Sequence, residues 1–483
     1  MPADPAGLRA EAPLLDAWLR FQEEAPTPFT IPGHKQRHDL VGDVVAGDVP
    51  LYAGLDSMKL SRGVLADAES RAARLWGADL CRFSVGGATH ANQSLALAIA
   101  GTRSAAAASH PGDNGTVIVS RTLHRSMLLG LVLAGLIPVW VRPELDAATG
   151  LPLGVAPSTL ADALDHHPDA RAVLLGDPSY IGTVGDVAAL AETAHAHDVP
   201  LIVDAAWAGH FGFHPELPRH ALQLGADAMV VSAHKTLPAW SQAALVLARS
   251  ERIDPARLDA GVEATHTTSP AGAILASIDA ARALLERDGE HLLGQAISAV
   301  YDARKRLAGI EGLVVVDGPH VDPLKLTLVL PGTGADGIAV EGDLLAAGLP
   351  VEAAERDTIV AQVSLADTDQ TLTRLTDALA ASLMRHRGAP RPVVTGAAYR
   401  VEPVTVMAPR TAFFAPNEAV PLSAALGRVC VELVAPYPPG IPVLAPGEEV
   451  TGSALDALAQ ARADGVRIAY AADPTLATLR VAR

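Results

Sequence analysis

Between about residues 75 and 250, short and continuously apolar runs alternate with Ala-rich stretches of helical period. This alternation restricts the fold more than any other feature of the chain. The runs cover residues 116–120, 137–141, 171–176, 199–204, 228–232 and 243–248. A strand with one solvated face would alternate polar and apolar residues, so unbroken apolarity predicts strands buried on both faces of a mostly parallel sheet. The helical stretches between them, such as 186–197, supply the crossovers, and the expected class is α/β with helices flanking the sheet. A long helix is predicted over 271–307. Strand-like runs follow at 313–317 and 325–330, with helices near 341–347 and 369–385, which read as a small α+β domain. A Pro/Gly-rich linker at 387–392 leads to a last segment of turns.

The chain has 483 residues, about three times the usual domain length of roughly 150. Expected boundaries are an amino-terminal arm at 1–70, a large domain at 71–310, the small domain at 311–388 and a carboxy-terminal domain at 395–483. With 49% apolar and 19% charged residues, disorder is excluded for the bulk of the chain. The net charge of −17 argues against nucleic-acid or anionic-membrane surfaces and suits a small cationic ligand. Cys81 and Cys430 have no zinc-type spacing and read as buried thiols in a reducing compartment. The amino terminus lacks a basic segment followed by an apolar run, and the apolar stretch 128–141 is too short to span a bilayer. A cytoplasmic protein is expected, with no metal site, since the paired histidines at 166/167 and 195/197 do not converge.

In such a sheet, ligands bind beyond the carboxyl ends of the strands. Three places there carry reactive residue types. One run ends in Asp204, followed by Ala205, Ala206 and Trp207. Another passes into Ser232-Ala233-His234-Lys235. Upstream, Gly86-Gly87-Ala88-Thr89 opens an Ala/Leu-rich helix. Each suits one part of pyridoxal 5'-phosphate (PLP). The turn offers amides and a helix dipole to a phosphate, although many Gly-Gly turns are only structural. Asp204 can keep a pyridine nitrogen protonated, or can simply cap a turn. Lys235 offers a Schiff-base amine, with Ser232 and His234 near enough in sequence to reach the same phosphate.

The chain contains five lysines: Lys35, Lys59, Lys235, Lys305 and Lys325. Lys305 lies in Arg304-Lys305-Arg306 on a helix and reads as a solvated face. Lys325 sits between leucines in an alternating strand and is expected to point outward. Lys35 and Lys59 precede the sheet. Lys235 alone follows a buried strand.

These motifs resemble those of the Orn/Lys/Arg decarboxylases of PLP fold type I, the aspartate-aminotransferase-like fold. The resemblance includes Pro28-Phe29-Thr30-Ile31-Pro32-Gly33-His34-Lys35, the loop Gly86 to Asn92, and Arg121 to Ser126. It continues through Asp177 to Gly182, Asp204 to Trp207 and Ser232 to Lys235. In the carboxy-terminal part it includes Gly427-Arg428, Tyr437-Pro438-Pro439-Gly440-Ile441-Pro442 and Pro446-Gly447-Glu448. It implies that Lys235 forms the internal aldimine, that His124 stacks on the cofactor ring and that Asp204 pairs with the pyridine nitrogen. It further implies that Thr89, the Ala88 amide, Ser232 and His234 hold the phosphate, and that Ala206 and Trp207 pack at the ring edge. The implied reaction is α-decarboxylation of a basic amino acid, arginine before lysine or ornithine, by a homodimer or higher homo-oligomer in polyamine synthesis. Glu432 and Glu448 are candidates to meet the distal cation of the substrate. Ala88 departs from the family pattern, replacing a common hydroxyl. An aminotransferase, a β-eliminating lyase and a catalytically silent regulatory homologue are the other readings.

Overall fold

All six apolar runs become strands of one sheet, and a seventh strand joins them. In the computed structural model the strands are β1 (Leu80–Ser84), β2 (Thr116–Ser120), β3 (Ile137–Val141), β4 (Val173–Gly176), β5 (Leu201–Asp204), β6 (Ala228–Val231) and β7 (Ala244–Ala248). The structure describes residues 4–24, 29–35, 37–49, 63–101, 115–393, 400–437, 441–463 and 466–483. Pro28, Lys59 and the Pro438-Pro439-Gly440 turn lie outside the described residues.

The strand order is β1-β7-β6-β5-β4-β2-β3. Every residue of β5, β6 and β7 is buried, which is the physical origin of their unbroken apolarity. Strands β3 and β4 run parallel to β2. Strand β7 instead runs antiparallel to both β1 and β6. The connection from β6 to β7 holds a single helical turn, Ala233–Thr236, rather than a crossover helix, so the chain reverses direction. Strand β1 escapes the apolar-run criterion because Arg82 interrupts it. That guanidinium reaches out to Asp259 at 2.7 and 3.1 Å.

The chain divides into two compact units, 1–98 with 203–294, and 99–202 with 295–483. In the first unit, helix α1 (Pro13–Glu24) is tied to the long helix Gly272–Leu307 by charge. The Leu14 amide donates to Asp279 Oδ2 at 2.8 Å, and buried Arg282 donates to Asp279 Oδ1 and to the Glu11 carbonyl, each at 2.6 Å. Helix Pro255–Thr265, capped by Asp254, packs at its Gly261 onto helix Gly87–Ile99. A Cβ on Gly261 would lie 2.4 Å from the Ser94 carbonyl oxygen. Glycine-to-alanine in a helix normally stabilises by up to about 1 kcal/mol. Gly261→Ala is expected to do the opposite, lowering stability by about 1–3 kcal/mol through overpacking against backbone. Denaturant unfolding of the variant checks the sign.

The second unit carries a four-stranded antiparallel sheet of β8 (Val314–Val315), β9 (Lys325–Val329), β10 (Ala353–Ala354) and β11 (Thr358–Gln362), ordered β8-β9-β11-β10. Helices Gly337–Ala346 and Asp369–Arg385, capped by Asp336 and Thr368, close its core around Leu326, Leu328, Leu344 and Leu379. The carboxy-terminal part pairs β12 (Asn417–Pro421) with β13 (Thr478–Ala482) over a core that includes Val434, Leu444 and Leu458.

Two expectations fail here. Lys325 is fully buried rather than outward-facing, because Gly182 vacates the space its stem occupies: a Cβ at Gly182 would fall 2.6 Å from Lys325 Cβ and Cγ. In the basic triplet only Lys305 and Arg306 are exposed. Arg304 is buried and donates to Asp317 at 2.6 Å and to the carbonyls of Lys325 and Asp322. Cys81 and Cys430 are both buried as expected, and burial pushes the Cys430 thiol up to about 12. Among the described residues no helix is long and apolar enough to cross a membrane.

Candidate active site

The first unit brings together the three chain segments that carry reactive residue types. Asp204 is the last residue of β5, and its side chain is buried. Its Oδ2 accepts from the Asn92 side-chain amide at 2.7 Å, and its Oδ1 accepts from the Ala206 N–H at 3.3 Å. Asn92 is itself fully buried on the inner face of helix Gly87–Ile99. A carboxylate taken from water and held by neutral donors keeps strong acceptor capacity for a cationic N–H.

Lys235 lies in the helical turn that follows β6, and its Nζ sits 3.8 Å from the centroid of the Trp207 ring. An ammonium over an indole face is held by the ring quadrupole while remaining mobile on its stem. Trp207 reaches that position because the chain turns sharply after Asp204, with Ala208 N–H donating to the Ala205 carbonyl at 2.9 Å. Gly209 completes the turn; a Cβ there would meet Thr236 Oγ1 at 2.7 Å, so the two segments touch backbone to side chain. Ser232 begins the Lys235 turn, and its buried hydroxyl has no hydrogen-bond partner among the described residues. His234 is anchored through Nδ1, 2.9 Å from the Ala243 carbonyl.

The third segment is the glycine turn ahead of helix Gly87–Ile99. Gly87 adopts a left-handed φ of 69°, which suits glycine, and its N–H donates to the Gln242 carbonyl at 2.8 Å. Gly86 and Thr89 are exposed and Ala88 is half-buried. The Ala88 and Thr89 amides are first-turn donors at the positive end of the helix dipole. The geometry of this unit therefore offers a glycine turn at the positive end of a helix, an amine on an aromatic face and a buried carboxylate.

Two models for one family match the chain: the major domain of Orn/Lys/Arg decarboxylase over residues 12–321 and its C-terminal domain over 393–464. The chain belongs to the Orn/Lys/Arg decarboxylase family. It is 32% identical to an arginine decarboxylase of Halalkalibacterium halodurans, over 98% of this chain and 97% of that one. It is 30% identical to an arginine decarboxylase of Bacillus subtilis, with 98% of each covered. Among solved structures it is similar to lysine decarboxylase A of Pseudomonas aeruginosa, with a TM-score of 0.80 at 21% identity over 98% of this chain and 80% of that one. A Sphingomonas wittichii serine palmitoyltransferase shares the fold at TM-score 0.56 and 14% identity, over 77% of this chain and 84% of that one. The fold is PLP fold type I.

The second unit holds the family's Arg121 to Ser126 segment. His124 is exposed and caps helix Arg125–Ala134, its Nδ1 accepting from the Ser126 N–H at 3.2 Å. Arg121, three residues earlier, is fully buried beneath the Trp140 ring, 4.6 Å from its centroid. It donates to both carboxylate oxygens of Glu448, at 2.5 and 2.9 Å, and to the Pro442 and Val443 carbonyls. This corrects the expectation for Glu448. Its carboxylate also accepts from Ala445 N–H at 2.9 Å, and it is a buried structural anion rather than a partner for a substrate cation. Glu432 is likewise engaged, accepting from the backbone amides of Ala472 and Arg480 at 2.6 and 2.7 Å. Arg121 and Asn92 lie inside quoted motifs, but their partners are hundreds or more than a hundred residues away, so neither role is visible in local sequence.

Proposed function

We propose that this chain removes the α-carboxylate of a basic amino acid as CO2, with PLP as cofactor and arginine as the first substrate. The observation that carries the reading is the constellation in the first unit, the Lys235 amine over Trp207 with Asp204 buried and held by Asn92. The residues fit the cofactor: the Ser232 hydroxyl, without a partner among the described residues, and the first-turn amides of Ala88 and Thr89 are donors suited to a phosphate, to which His234 would add its ring. Bound there, PLP supplies an electron sink for the pair left at the α-carbon when the carbon–carboxylate bond breaks.

In this reading Asp204 keeps the pyridine nitrogen protonated, and Asn92 orients the carboxylate that does so. Lys235 would hold the cofactor through its amine, and the same amine would carry the proton delivered to the substrate α-carbon as general acid. Trp207 and Ala206 would pack at the ring edge, and His124 would stack on the ring. The arginine decarboxylases at 30–32% identity over nearly the whole chain support arginine ahead of lysine and ornithine. We read the chain as the arm, large, small and carboxy-terminal domains bounded above, as a cytoplasmic enzyme and as a homodimer or higher homo-oligomer.

The test is a substrate panel. Purified protein supplied with PLP is expected to release CO2 with agmatine from arginine, and to act more slowly on lysine and ornithine. A keto acid product, or no turnover on all three, would overturn the reading.

A further inference from the structure

Behind the glycine turn of the first unit lies a chain of hydrogen bonds with a fixed direction. His90 is buried, and its Nε2 lies 3.1 Å from the Val262 carbonyl. A carbonyl only accepts, so Nε2 carries the ring proton and Nδ1 is left as an acceptor. Nδ1 lies 2.7 Å from Ser84 Oγ, so that hydroxyl donates to it, its one proton shared with the more distant Gly87 carbonyl at 3.1 Å. Ser84 Oγ in turn accepts from the Gly86 N–H at 3.2 Å. Ser94 Oγ donates to the His90 carbonyl at 2.8 Å and lies 3.2 Å from Nε2, so it accepts from that same N–H. Burial holds the imidazole down at about 4, so it remains neutral and keeps this polarity.

The direction has a consequence for the turn. The Gly86 N–H points inward to Ser84, the Gly87 N–H is taken by Gln242, and the His90 N–H donates to the Gly86 carbonyl at 3.3 Å. The amides of Ala88 and Thr89 are the ones left without such a partner among the described residues. Gly86 also rests directly on His90, since a Cβ there would meet His90 Cβ at 2.8 Å.

We propose that His90 is a positioning residue that, through Ser84, sets which amides of the glycine turn are presented to the cofactor phosphate. This rests on the PLP reading above. It identifies Ser84 and His90 as one device, the two acting in series rather than as separate contacts.

The experiment is a double-mutant cycle on PLP affinity, measured by titrating cofactor back into apo-enzyme, with the phosphorus resonance of the bound phosphate recorded alongside. Ser84→Ala and His90→Leu are each expected to raise the PLP dissociation constant by about tenfold, the scale of one net hydrogen bond, and the double variant by about the same tenfold. His90→Asn, whose side-chain oxygen can still accept from Ser84, is expected to stay within about threefold of the parent. Nitrogen-15 shifts of His90 in the apo-protein are expected to show the Nε2–H tautomer. Multiplicative losses in the double variant, parental affinity in Ser84→Ala, or an Nδ1–H tautomer would each overturn the proposal. If His90→Leu does not fold, Ser84→Ala, His90→Asn and the tautomer still decide it. Failure of the parent protein to bind PLP would instead overturn the cofactor reading itself.

Discussion

Lys235→Ala is expected to abolish covalent retention of PLP and to lower turnover by at least about 10³-fold, because one amine serves both as anchor and as proton donor. Borohydride treatment of the parent protein followed by peptide mass analysis is expected to place the cofactor mass on the peptide containing Lys235. Lys325 is the informative rival. It is the one fully buried lysine among the described residues, where Lys235 is half-buried, and its Nζ also lies near an aromatic ring, 5.9 Å from the centroid of Tyr180. It nevertheless belongs to the four-stranded sheet of the second unit, where Gly182 and Arg304 enclose its stem and its carbonyl. Cofactor mass on the Lys325 peptide, or full turnover in Lys235→Ala, would sink the assignment.

The second large effect concerns stability. Glu448→Gln is expected to lower stability by about 3–5 kcal/mol, since it leaves the Arg121 guanidinium buried without its counter-charge. Both side chains are 1% exposed, so water cannot compensate for the lost partner. Arg121→Met combined with Glu448→Met is expected to recover most of that loss, because replacing both charges removes the desolvation cost together with the attraction. Chemical denaturation of the two variants measures both. A parental midpoint for Glu448→Gln would show that the pair contributes nothing net. The pair also ties the carboxy-terminal turn to the strand end that precedes His124, so the weakened variant is expected to lose activity in parallel with stability.

How much of this was readable in advance depends on the range of the interaction. Strands β2 and β4 to β7 were legible because burial leaves an unbroken apolar run, and the edge strand β3, only partly buried, is apolar throughout as well. Their starts at β4 and β5 shifted inward by two residues, although Arg171 N–H still donates to the Thr116 carbonyl and the Ala172 carbonyl accepts from Ile118 N–H. Strand β1 was not legible, since Arg82 breaks its pattern. Lys325 was misread because the Leu-Lys-Leu pattern signals an exposed lysine on a half-buried strand, and the deciding residue, Gly182, lies in another segment. Asn92 was visible as a motif member but not as the partner of Asp204. Glu448 was misread for the same reason, its partner Arg121 being 327 residues away.

The Asn92–Asp204 bond also bears on how the protein is made. Its two ends are 112 residues apart, and the first unit is built from two stretches separated by the 99–202 segment. At roughly 5–20 residues per second of synthesis, the helix carrying Asn92 leaves the ribosome roughly 6–22 s before the strand carrying Asp204 exists. Over that interval the nascent chain holds a buried-type amide with no carboxylate to receive it. The first unit is therefore completed only once its second stretch, 203–294, has been made, and truncated products that end before residue 204 carry the glycine turn without the Asp204 carboxylate.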